Sequence, residues 1–230
     1  MDYDKIISTL HSLANPTNVH GMARYGINTH NNLGISIYQL RPLAKHIGTN
    51  HPLALKLWDS KIHDARLLAC FIDDPTQITS EQMDTWAADF DSWDICDQAC
   101  TSLFDRSPLA TKKVFQWAEQ EQEFIRRAAF SLIAGLAVHD KTITEKDFDA
   151  FLTLCITHAT DERNYVKKAV NWALRNIGKQ SIPLNKKALK TAEQIKKIHS
   201  KSARWIASDA IRELTSQKIQ EKLKSKKKKK

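Results

Sequence analysis

The sequence predicts an all-α protein, an α-solenoid of stacked antiparallel helix pairs, curved with a basic concave face. Three observations carry that expectation. No segment holds a sustained period-2 alternation, whereas apolar residues recur at helical spacing through most of the chain. Only 6 Gly and 6 Pro occur in 230 residues, too few for the many tight turns of an all-β fold. A loose phrase of basic residues followed by Ala and Leu or Ile also returns along the chain, at the period of a helical repeat.

Taken in order, Ile6, Ile7, Leu10 and Leu13 define a first helix that Asn15-Pro16 should stop. Residues 15 to 35 are rich in Asn, Gly and Thr and read as a loop, in which Arg24 and Tyr25 could touch a ligand. Ser36 with Gln39 forms a capping box for a helix to about His46, with Pro42 predicting a kink or a late start. Asn50-His51-Pro52 opens a helix ending near Trp58, and a further one covers 62 to 73 before Asp74-Pro75. Thr79 and Gln82 begin the next, to about Phe90, and Ser92 caps another from Trp93 to Phe104.

Ser107-Pro108 predicts a helix to about Gln120, followed by one over 123 to 139 and one from Thr144 to about His158. Asp161 is the expected cap of a helix that Gly178 should terminate. Helices from Leu184 to Ile198 and from Ser202 to about Leu223 complete the chain. Residues 1–223 are thus expected as a single repeat domain, with 224–230 a disordered lysine-rich tail.

The formal charge is +9, but KSKKKKK at 224–230 holds six lysines, so the body without them is +3. A mildly basic body with a strongly basic end is compatible with nucleic acid and does not require it. The four cysteines (Cys70, Cys96, Cys100 and Cys155) form no CxxC pair, and the nine histidines include no HExxH. Neither a zinc site nor a disulfide framework is expected. The first residues, MDYDKIISTLHSLANP, lack a long apolar run, which predicts no signal peptide and no membrane partner, hence a cytoplasmic protein.

The repeated phrase appears as ARLLACFI at 65, IRRAAFSLI at 125, VKKAVNWAL at 166 and ARWIASDAI at 203, the last three spaced by 41 and 37 residues. In a solenoid, equivalent helices line one wall, so their basic residues form a stripe suited to a long polyanion. Arg66, Arg126, Lys167, Lys168, Arg175 and Arg204 are the candidate DNA-binding residues of that stripe. Each could instead pair with an acid of a neighbouring repeat. One helix departs from the register. Asp97 precedes Ala99 where Arg127 precedes Ala129 and Lys167 precedes Ala169, and Trp93 lies one turn before Asp97 on the same face. Asp91 and Asp94 compete with Asp97 for a chemical role, but in a helix Asp94 points about 100° away from Trp93. Trp58, Trp86, Trp117 and Trp205 are assigned to packing.

HDARLLA (63–69), SWDICD (92–97), FIRRAAF (124–130) and VKKAVNWALRNIGK (166–179), in this order, resemble the HEAT-like repeat DNA alkylation repair glycosylases of the AlkC/AlkD type, closer to the AlkD branch. The likeness covers residues 20 to 215. It implies release of cationic N3- and N7-alkylated purines from double-stranded DNA, without base flipping in the AlkD branch. It also implies a catalytic set of Trp93, Asp97, Arg127 (or its neighbour Arg126) and Trp172. No metal or other cofactor is implied, and a monomer is expected. His63 and Asp64 match the pattern too and read as structural. The alternative is a HEAT-like protein that recognises DNA structure without excising a base.

Overall fold

The structure is a computed structural model, and it describes residues 1–228, with side chains to 226. Among the described residues there are fourteen α-helices and no strand. The chain forms two compact units, Met1–Leu109 and Ala110–Lys230.

The first unit contains α1 (Tyr3–Ser12), α2 (Pro16–Ala23), α3 (Ile37–Ile47), α4 (His51–Asp59), α5 (His63–Ile72), α6 (Ser80–Ala88) and α7 (Trp93–Ser102), with a short 3-10 turn at Phe104–Arg106. Helix α5 is its centre. It packs on α3, α4 and α7, and nine of its ten residues are buried. Trp58 and Trp86 stack with ring centroids 3.9 Å apart and planes at 4°, filling the layer beside α5 with two large rings.

The second unit contains α8 (Ala110–Ala118), α9 (Glu123–His139), α10 (Glu145–Thr157), α11 (Asn164–Gly178), α12 (Ile182–Lys196), α13 (Lys201–Leu214) and α14 (Gln217–Lys228). Here α9, α11 and α13 pack in succession, and α8, α10 and α12 each pack against the helix that follows. This is the pairwise stacking of an α-solenoid. The four repeated phrases fall on α5, α9, α11 and α13, and the exceptional helix is α7.

The local signals act largely as expected. Asn50, Thr79, Thr144 and Ser200 each accept an amide from three residues on, and Gln39 accepts the Ser36 amide at 3.4 Å. Four differences stand out. Asn15-Pro16 both ends α1 and starts α2: the Asn15 side chain caps Asn18 and Pro16 occupies the first turn, so part of the expected loop is helical. Helix α3 runs through Pro42 from Ile37 to Ile47.

Asp161 does not cap α11, whose first helical residue is Asn164; its carboxylate is taken by Arg126 and Arg163 instead. The single helix expected from Ser202 breaks at Thr215–Ser216, where both hydroxyls turn back onto the preceding carbonyls. Helix α14 then carries the chain past Leu223 to Lys228, and the last two lysines of the tail lie outside the described residues. No helix among the described residues is long and apolar enough to cross a membrane.

Candidate functional site

Helix α7 presents two different faces. Ile95, Cys96, Ala99 and Cys100 are buried, whereas Trp93, Asp97, Gln98 and Thr101 are half-buried. The i, i+4 pair Trp93 and Asp97 therefore shares the accessible side. The three aspartates of DSWDICDQ hold distinct positions. Asp91 accepts from the Asn28 amide at 2.7 Å, Asp94 is buried in a polar network, and only Asp97 stands one turn from Trp93 on its face.

That network sets the position of α7. The Ser92 hydroxyl donates to Asp94 Oδ1 at 2.7 Å, and His63 Nε2, at the start of α5, lies 2.9 Å from Asp94 Oδ2. The neighbouring Asp64 accepts the amides of Leu33 and Ile35 at 2.6 and 2.8 Å, and the His63 amide donates to Asn31 O at 2.9 Å. The segment between α2 and α3 is thereby tied to the first turn of α5. The same segment meets α7, because the Trp93 indole Nε1 donates to Tyr25 O at 2.9 Å. Tyr25 itself is 75% exposed, so Trp93 carries a fixed ring plane at a solvent-accessible edge.

Electrostatics follows the same geometry. Burial lowers the His63 pKa, but the hydrogen bond and charge of Asp94 outweigh it and hold the imidazole above its ordinary value. Burial raises Asp94, and the His63 bond and charge with the Ser92 hydroxyl outweigh that, leaving the carboxyl below its ordinary range. Both directions favour an ionised pair. The consequence is a charge-compensated polar network at the first turn of α7, the helix that carries Asp97. Sequence periodicity missed the His63–Asp94 pair, because the residues lie 31 positions apart on different helices.

The other candidate residues of the first unit and those of the second are held in several ways. Arg66 is buried: its guanidinium donates to Trp58 O and to Asp89, 3.0 Å from the Asp89 carboxylate, and lies 5.0 Å from the Trp58 ring centroid. On α9, Arg126 donates to Ala118 O and Asp161, both at 3.0 Å, and the buried Arg127 donates to Tyr165 O at 2.7 Å. On α11, Trp172 and Lys167 are half-buried and Lys168 is exposed. Arg175 pairs with Glu213, which Lys179 also reaches at 3.0 Å. On α13, Arg204 is exposed, and Trp205 is not the packing residue expected: it is 41% exposed, with Lys167 Nζ 5.7 Å from its ring centroid.

Comparisons with known proteins bear on the fold and the family. Two uncharacterized proteins, from Listeria innocua and Listeria monocytogenes, are each 22% identical over 201 residues, covering 86% of this chain and 88% of theirs. A solved structure described as belonging to a new family of proteins related to the HEAT-like repeat DNA glycosylases, with affinity for branched DNA structures, matches with a TM-score of 0.78. The match has 20% identity and covers 93% of this chain and 95% of that one. The sequence profile of the DNA alkylation repair enzymes matches residues 6–214. Its span takes in nearly every helix of both units, so the chain belongs to the DNA alkylation repair enzyme family.

Proposed function

We propose that this protein is a monofunctional DNA glycosylase that hydrolyses the N-glycosidic bond of cationic N3- and N7-alkylated purines in duplex DNA. The observation that carries the reading is the Trp93–Asp97 pair, an indole fixed by Tyr25 O with a half-buried carboxylate one turn away on the same face. A purine alkylated at N3 or N7 is positively charged and already a good leaving group. As the C1′–N9 bond breaks, its electron pair leaves with the purine, which becomes neutral, and positive charge builds on the deoxyribose.

Asp97 stabilises that charge and takes a proton from the water that forms the new C1′–O bond. The Trp93 face adds a cation–π attraction of about 0.5–2 kcal/mol, and Trp172 is proposed for the same kind of contact. Arg127, or its neighbour Arg126, is the proposed phosphate contact near the lesion, as the family likeness implies; the buried Arg127 would have to leave Tyr165 O to make it. Exposed Lys168 and Arg204 are the foremost of the DNA-binding residues. Lys167, Arg175, Arg126 and Arg66, already held by protein partners, are the secondary candidates for DNA contact. The protein is proposed to act as a monomer in the cytoplasm.

A second reading is a protein that binds DNA structure without excision. It is favoured by the affinity for branched DNA described for the structural neighbour. Release of 7-methylguanine and 3-methyladenine from methylated duplex separates the two. Wild type should release both, Asp97→Asn should lose about 100-fold or more in rate while retaining DNA affinity, and Trp172→Ala should fall between. Full activity in Asp97→Asn would remove the mechanism. No release by wild type, with tighter binding to a three-way junction than to duplex, would establish the binder.

A further inference from the structure

The first unit contains a cleft of about 320 Å³ that none of the candidate residues above occupies. Arg41 and Lys45 of α3, Thr49 after it, Phe71 of α5, Ser102 of α7 and Arg106 beyond it form its walls. Three cations and two hydroxyls thus surround one space, and no carboxylate lines it. All three cations are exposed, and among the described residues none has a carboxylate partner.

Several basic side chains elsewhere are compensated: Arg126 and Arg163 share Asp161, Arg175 and Lys179 share Glu213, and Lys187 meets Glu145 and Asp149. In the cleft three cations without such partners converge on one space. Arg41 and Lys45 stand one helical turn apart, an arrangement that costs a few tenths of a kcal/mol by like-charge repulsion. An anion in the cleft reverses that sign.

The guanidinium of Arg41 is also held in place. It lies 4.9 Å from the Phe71 ring centroid, and its Nη2 donates to Gln98 Oε1 at 3.4 Å. The Ser102 hydroxyl donates to the same Gln98 oxygen at 3.1 Å. Stacking and a neutral amide orient the fork without consuming its charge, which suits an incoming phosphate. Gln98 adjoins Asp97 in sequence, and Ser102 lies about 7.5 Å further along the α7 axis. The cleft and the candidate acid therefore share one rigid helix.

We propose that the Arg41–Lys45–Arg106 cleft is a binding site for a backbone phosphate of DNA, seating the strand with respect to Asp97. The assignment rests on the DNA reading above but not on excision, so its test uses unmodified duplex and no activity. The triple variant Arg41→Gln, Lys45→Gln, Arg106→Gln should bind a 20-base-pair duplex at least 10-fold more weakly than wild type. The slope of log K against log salt should fall by about 1–2, since each lost phosphate contact removes about 0.9.

The charge-conserving Arg41→Lys, Arg106→Lys variant should keep most of the affinity, and Lys187→Gln, whose cation is already paired, should change nothing. Melting temperatures confirm that each variant is folded. Wild-type affinity and salt slope in the folded triple variant would overturn the proposal. Competition by inorganic phosphate, beyond that of chloride at equal ionic strength, with duplex affinity unchanged by the triple substitution, would assign the cleft to a free phosphate ligand and equally overturn it.

Discussion

His63 Nε2 sits 2.9 Å from Asp94 Oδ2, with both side chains buried, and this contact joins the first turn of α5 to the first turn of α7. Its pH dependence follows from the directions of the two shifts. His63 is raised above 6.5, so its contribution is full below that value and is lost as pH rises through the raised folded pKa. Asp94 is lowered below 3.8, so its contribution is present above that value and is lost as pH falls through the lowered folded pKa. The pair is therefore most stabilising between about pH 4 and 6.5. Removing one partner of a buried ion pair costs about 3–5 kcal/mol. Asp94→Ala should lower stability by about that much at pH 5.5, and the gap to wild type should narrow toward pH 9. A gap independent of pH, measured by chemical unfolding, would show that the pair is not ionised.

The helices were legible in the sequence because local rules decide them: caps at Asn50, Thr79 and Thr144 and apolar spacing along α9 and α11 suffice. The accessible Trp93–Asp97 face was legible for the same reason, since i and i+4 are fixed by helix geometry alone. What escaped depends on contacts between distant segments. Asp161 looks like a cap by position, but Arg126, 35 residues away, competes for its carboxylate. The basic cleft joins Arg41 to Arg106, which no window of sequence places side by side. Trp205 shows the limit of residue type as a guide: an aromatic at a repeat position can face outward beside a lysine.

Gly178 illustrates a residue correctly singled out for a different reason. It ends α11, yet it is not among the residues with positive φ. A Cβ there would lie 2.7 Å from Leu214 Cδ1 and Cδ2 and 3.0 Å from Ala188 Cβ, so the glycine permits close approach of α12 and α13. Gly178→Ala should destabilise by about 1–3 kcal/mol through overpacking. Leu214→Ala alone should cost about 2–5 kcal/mol by leaving a cavity. Because the added methyl occupies space that the leucine vacates, the double variant should cost clearly less than the sum. Strict additivity in a double-mutant cycle would mean that Gly178 and Leu214 are not in contact.

Trp93 combines a hydrogen bond and a ring face, and two substitutions separate them. Trp93→Phe removes the donor to Tyr25 O while keeping an aromatic plane. It should cost about 0.5–1.5 kcal/mol of local stability, read as faster amide exchange around residues 25–28 with little change in the rest of the first unit. On the proposed reaction, the face supplies a cation–π term of about 0.5–2 kcal/mol, or roughly 2- to 30-fold in rate. Trp93→Ala should therefore slow excision of 7-methylguanine by that factor relative to Trp93→Phe, with both variants folded and binding unmodified duplex alike. Equal excision rates in the two variants would show that the indole only anchors the segment at Tyr25 and that its face takes no part in the chemistry. Faster exchange at 25–28 with the excision difference intact would assign the two functions to the two ends of one side chain.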